Sequence, residues 1–154
     1  MSSFHCGLWE TEWREEGGRL TVLRYGGQDL LTTPPAAFLP PSEDYGQYET
    51  QPVYGYDDCF PTVDACTFPV QEWTVPDHGE LCWLPWKVVV EPAQLLFEVK
   101  SEKLPITFRR SMGFQPSSLN WVFEITNAGG VEIPFLHIMH GLMPLREIVR
   151  VRVP

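Results

Sequence analysis

Three of the four imidazoles of this chain and one of its pairs of adjacent carboxylates fall in three short segments, and their spacing limits the chemistry each can perform. Pro76-Asp77-His78-Gly79-Glu80 sets a histidine between two carboxylates on a glycine-containing turn. A carboxylate within hydrogen-bond reach fixes the imidazole tautomer and raises its proton affinity, which suits the ring to proton transfer or to gripping a hydroxyl. The alternative is a purely structural turn. Tyr56-Asp57-Asp58-Cys59-Phe60-Pro61-Thr62 holds adjacent carboxylates in aromatic surroundings. Such carboxylates can accept sugar hydroxyls while aromatic faces stack on the apolar side of a pyranose. Their competing use is to cap backbone amides in a proline-terminated turn. His137 and His140 form an H-x-x-H. On a helix these rings would be neighbours; on a strand, positions three apart point to opposite faces, so the pair is not expected to share an ion.

Cysteine chemistry offers little more. Cys6, Cys59, Cys66 and Cys82 include no C-x-x-C. A zinc site can be drawn through Cys59, Cys66, His78 and Cys82, but the spacing fits no common ligand pattern, so no metal and no other cofactor is expected. Met1-Ser2-Ser3-Phe4-His5-Cys6 has neither a basic nor an apolar stretch of the secretory kind. Reduced thiols and a cytoplasmic setting are therefore expected.

The elements that must position these groups alternate with period two. Arg19 to Tyr25 reads as a strand closed by a Gly26-Gly27 turn, with residues 28–31 as the return. Residues 32–86 form a long passage rich in proline and aromatic residues, with Pro34, Pro35, Pro40, Pro41, Pro52, Pro61, Pro69, Pro76 and Pro85. That proline density excludes helices and weakens ladder strands. A passage so aromatic is a poor linker, so a structured loop system packed on a sheet is expected. From Lys87 the strands become regular: 87–91, 94–100, 104–110, 119–126, a return over 131–140 after an Asn127–Gly130 hairpin, and 147–153. In the 104–110 segment the alternation puts Arg110 on the same face as Leu104, Ile106 and Phe108. No 3.6-residue period is sustained. The fold expected is an antiparallel all-β sandwich, and 1–154 reads as a single domain or half-domain.

Composition narrows the partners. The chain has 154 residues, 20 acidic against 11 basic, for a formal net charge of −9. Residues 1–80 carry 14 acids and 3 bases, and no Lys or Arg lies between Arg24 and Lys87. An acidic, base-free and aromatic surface argues against nucleic acid and favours neutral, hydroxyl-rich ligands. No apolar run is long enough to span a membrane.

As a set, these segments resemble the galactose mutarotase-like (aldose 1-epimerase) family, in its branch with D-H-G-E loops. The resemblance is carried by Gly55-Tyr-Asp-Asp-Cys-Phe-Pro-Thr62, Pro76-Asp-His-Gly-Glu-Leu-Cys-Trp83 followed by Trp86, and Phe135-Leu-His-Ile-Met-His140. Phe108-Arg109-Arg110 and the Leu119–Asn127 segment follow in the family's order, so the resemblance covers roughly residues 19–154. It implies the N-terminal half of a large β-sandwich with a monosaccharide or sugar derivative bound in a groove. It also implies His78 as a sugar contact, His140 as general acid on the ring oxygen, and a groove beside Trp86. Asp57, Asp58, Asp77 and Glu80 complete the expected substrate contacts. The family's catalytic base is a glutamate in its C-terminal half, which this chain does not supply. Asp77 or Glu80 could replace it, though no positional argument favours either. A non-catalytic sugar-binding module and a β-edge interaction module, including a homodimer through an exposed sheet edge, are the competing readings.

Overall fold

The structure, a computed structural model, describes residues 1–34, 53–69 and 72–144. Twelve strands occur among them: β1 (Ser2–Cys6), β2 (Trp9–Trp13), β3 (Leu20–Tyr25), β4 (Gln28–Asp29), β5 (Tyr56–Cys59), β6 (Cys66–Phe68), β7 (Trp73–Val75), β8 (Lys87–Glu91), β9 (Gln94–Lys100), β10 (Ile106–Phe114), β11 (Leu119–Asn127) and β12 (Ile138–Gly141). Among the described residues the one helical element is a single 3-10 turn, Leu81–Trp83. No helix among the described residues is long and apolar enough to cross a membrane.

Alternation builds two sheets that face each other. One runs β1-β2-β3-β5-β12 with β4 paired to β3; the other is the meander β11-β10-β9-β8. All pairings within these sheets are antiparallel. Trp9, Thr11 and Trp13 are buried along β2, while Leu95, Phe97 and Val99 are buried along β9. Rings from the two sheets meet between them: Phe4 with Phe114 at 5.0 Å, Trp13 with Phe97 at 5.9 Å and Tyr56 with Trp121 at 4.6 Å between centroids. Burial of such large aromatic area dominates the driving force for folding. The Gly26-Gly27 turn forms as expected, with φ of 56° and 83°. Positive φ at both central residues is what a tight hairpin joining right-twisted strands requires.

Three features depart from the sequence-based expectation. The hairpin β1–β2 was not anticipated, although Trp9-Glu-Thr-Glu-Trp13 carries a clean period of two. The 32–86 passage is not loop throughout: β5 lies inside it, all four residues buried, bridging β3 and β12. β5 escapes the proline penalty because Pro52 and Pro61 fall outside it. The segment after β11 does not fold back as a return strand either. Asn127 Nδ2 donates to Val131 O, Gly129 N donates to Asn127 Oδ1, and Ala128 N donates to Pro105 O. These bonds turn the chain away from β11, and Pro134 withholds a ladder donor. The chain crosses to the opposite sheet, where Ile138–Gly141 pairs with β5. The 147–153 segment lies outside the described residues, as do residues 35–52 of the proline-rich passage.

Arg110 explains its place on an apolar face. It is fully buried between the sheets, and its Nη1 donates to Asp58 Oδ2 at 2.6 Å while Nη2 donates to Gly18 O. Its guanidinium lies 4.1 Å from the Phe97 ring centroid and 5.1 Å from those of Tyr56 and Trp86. Tyr56 Oη and His137 Nε2 also reach Asp58 Oδ1, at 2.6 and 2.9 Å. A buried pair with these extra bonds is costly to break from one side, because the surviving charge is left uncompensated. Arg110→Met is therefore expected to destabilise the fold by about 3–5 kcal/mol in urea denaturation. Combining it with Asp58→Asn should cost clearly less than the two single losses added together.

Candidate functional site

Asp57 and Asp58 are consecutive residues of a strand, so their side chains leave on opposite faces. Asp58 points into the sandwich with Tyr56. Asp57 and Cys59 point outward, beneath the loops that carry His78. β12 lies against β5 with His140 directly opposite Asp57 and Ile138 opposite Cys59. That register brings the His140 Nδ1 to 2.8 Å from Asp57 Oδ1. An ionised carboxylate only accepts, so the contact puts a proton on Nδ1 and turns Nε2 away from Asp57. Arg19 Nη2 donates to the other Asp57 oxygen at 2.6 Å, and its guanidinium lies 5.1 Å from the Tyr54 ring centroid.

The His78 turn closes over this face. His78 N donates to Val63 O, Glu80 N donates to Phe60 O, and Gly79 bridges Phe60 in parallel. Gly79 sits at φ 77°, and a Cβ there would strike the Phe60 carbonyl oxygen. His78 itself adopts φ 63°, a left-handed conformation that a non-glycine residue holds only where its surroundings impose it. Its Nδ1 is 3.1 Å from an Asp77 oxygen, and its ring centroid is 5.0 Å from that of His140. Both imidazoles keep a fifth to a quarter of their surface exposed, 21% and 25%. Burial, then the negative charge of Asp57, Asp58 and Asp77, pushes the Cys59 thiol up to about 12.

The sequence-expected site thus divides. His140, His78, Asp57 and Asp77 converge on one partly exposed face. His137 takes the opposite face, packed on Phe108 and Phe123 at 5.1 and 4.6 Å, which is the split that strand geometry predicts for H-x-x-H. Three expected substrate contacts have other roles. Asp58 is wholly buried against Arg110. Trp86 is 2% exposed and donates from Nε1 to Leu81 O, so it offers a ligand no face. Glu80 is wholly buried and accepts from Ser101 Oγ and from the backbone N–H groups of Glu102 and Lys103. Burial raises its pKa against the pull of those bonds. Arg19 and Cys59 were not anticipated as neighbours of the site. A base-free stretch around two carboxylates does imply cations recruited from outside it, and Arg19 and Arg110 are those cations.

Searches for relatives add one finding. No family model matches the chain, and no curated protein matches it in sequence. Among solved structures, it is similar to an Escherichia coli K12 protein described as a "Putative aldose 1-epimerase", with a TM-score of 0.59 at 15% identity. The two share a fold. The match covers 86% of this chain and 48% of that one, so the chain spans about half the length of the aldose 1-epimerase-like structure.

If Glu80 is a strut for the 101–104 turn, Glu80→Ala removes the acceptor of Ser101 Oγ and Glu102 N, while Lys103 N keeps its bond to Ser101 Oγ, and a loss of about 1–3 kcal/mol in chemical denaturation is expected. The nuclear magnetic resonance signals of the His140 ring should stay where they are in that variant.

Proposed function

We propose that the chain is a carbohydrate-binding protein of aldose 1-epimerase type, interconverting the anomers of a free aldose where a catalytic base is supplied. The observation that carries this reading is the pair of imidazoles on the outer face of β5 and β12, 5.0 Å apart and each beside a carboxylate. Opening a hemiacetal requires an acid at the ring oxygen and a base at the anomeric hydroxyl, and reclosure on either face exchanges the anomers. In this reading His140 acts in its imidazolium form: Nδ1–H stays on Asp57 while Nε2–H passes to the ring oxygen, and the neutral Nδ1–H ring left behind is reprotonated from solvent. His78 grips a sugar hydroxyl, and Asp77 accepts another. The shared fold supports the scaffold, not the reaction, because a fold hosts unrelated chemistries. The absence of Lys and Arg between Arg24 and Lys87 supports a neutral ligand. Four unbridged cysteines suit a reducing cytoplasm.

A second observation favours a partner. Among the described residues, β11 and β12 end their sheets on the same side of the sandwich. Between them lies an apolar cavity of about 430 Å³ lined in part by Tyr56, Leu119, Trp121 and Met139. Phe135, Leu136, Ile138 and Met143 stand exposed close by in sequence. The chain spans about half the length of its structural relative. The occupant we propose is a second copy, paired through these edges.

Polarimetry of freshly dissolved α-D-glucose and α-D-galactose tests the enzyme. Faster mutarotation than buffer is expected, falling at least ~10²-fold in His140→Gln. Heat of binding without acceleration would leave a sugar-binding module, and flat traces in both assays would remove the sugar. Light scattering tests the partner: twice the chain mass is expected, reverting to one chain mass in Trp121→Glu, and a wild-type monomer would exclude the second copy.

A further inference from the structure

Beside the two imidazoles sits a group for which anomer exchange has no use. Cys59 Sγ, one ring nitrogen of His78 and one of His140 lie within 4.8 Å of one another. Cys59 is 1% exposed, and no hydrogen bond engages its thiol among the described residues. Cys82, the other buried cysteine, turns instead toward the backbone carbonyls of His78 and Gly79.

We propose that Cys59, His78 and His140 form a three-ligand site for a thiophilic divalent cation of the zinc class, open at its fourth position. Three protein ligands with a free position is the arrangement of accessible zinc sites, and thiolate with imidazole is the donor set that such ions prefer. The surroundings match on a second count. Metal-binding histidines typically give their other ring nitrogen to a carboxylate, which fixes the tautomer and aims the lone pair. His140 has this through Asp57 at 2.8 Å, whereas at His78 an Asp77 oxygen lies 3.1 Å from Nδ1 as an ion-pair contact rather than a hydrogen bond. Asp57, Asp58 and Asp77 also create a negative field at the sulfur, which a cation would relieve. The left-handed backbone at His78 holds its ring over the cluster, a local strain of the kind that functional sites retain. Binding replaces the thiol proton, which passes to solvent as the thiolate joins the metal; no redox change is involved. The fourth position would take water or an oxygen of a hydroxylated ligand. A metal on His140 would occupy the Nε2 that acts as acid in the proposed function, so metal binding and anomer exchange are alternative states of this face, and the site itself needs only the three side chains.

Titration of the 154-residue protein with Co²⁺ in the absence of sugar reads this directly. One equivalent should bind with a thiolate-to-cobalt charge-transfer band and the intense ligand-field bands of a four-coordinate site, and Zn²⁺ should displace it. Cys59→Ser should abolish the charge-transfer band, and Cys66→Ser, at the exposed cysteine of β6, should leave it intact. Should Cys59→Ser fail to fold, X-ray absorption of the zinc-loaded wild type decides: one sulfur at about 2.3 Å with nitrogens at about 2.0 Å is expected. Absence of the charge-transfer band at saturating Co²⁺, its survival in folded Cys59→Ser, or a zinc shell of nitrogen and oxygen alone would overturn the proposal. Because sugar is absent, these outcomes do not depend on the mutarotation assay.

Discussion

Two adjacent buried aspartates on one short strand organise this molecule. Strand geometry sends Asp58 inward and Asp57 outward, and neither carboxylate can remain charged at that depth without compensation. Arg110, from the facing sheet, meets Asp58 at 2.6 Å, and Arg19 meets Asp57 at 2.6 Å. The first pair fastens the two sheets through the centre of the core. The second fixes the carboxylate that in turn holds His140. Core cohesion and site geometry therefore share one element, and a disturbance of β5 reaches both.

The same register separates the two histidines of H-x-x-H by function. His137 lies inward on Asp58 among phenylalanines, where its ring serves packing and charge compensation. His140 lies outward on Asp57, partly exposed and next to His78. Each aspartate thus has one arginine and one histidine, arranged alike on the two faces of the sheet. Only the outward set is open to a ligand. The buried negative charge around it explains why a cation and a hydroxyl-rich ligand are both chemically suited to this face.

How far this was legible in the sequence depended on the range of the interaction. Period-two alternation from Lys87 onward located β8 to β11 and put Arg110 on an apolar face, while its partner Asp58, 52 residues away, is visible only in the fold. His137 and His140 face opposite ways, as strand geometry suggests, although His137 lies one residue before β12. Less legible was β5, hidden in a proline-rich passage, because its strand character comes from pairings across 36 and 79 residues, Tyr56 with Leu20 and Cys59 with Ile138. The crossing from β11 to β12 is illegible for a related reason: residues 127–130 read locally as a hairpin, and only the bonds of Asn127 to Val131 and of Ala128 to Pro105 redirect the chain. Trp86 and Glu80 stood near the right motif but were assigned the wrong role, since burial cannot be read from proximity in sequence.

The central claim is that the outward face of β5 and β12, with His78 and His140, is where this protein meets its ligand. Imidazole nitrogen–proton correlation spectra of the four histidines, recorded while a free aldohexose such as D-galactose is added, address it residue by residue. The account predicts an Nδ1–H tautomer for His140 and saturable shifts at His78 and His140, with His5 and His137 unmoved. Shifts at His5 or His137 alone, or an Nε2–H tautomer at His140, would contradict it.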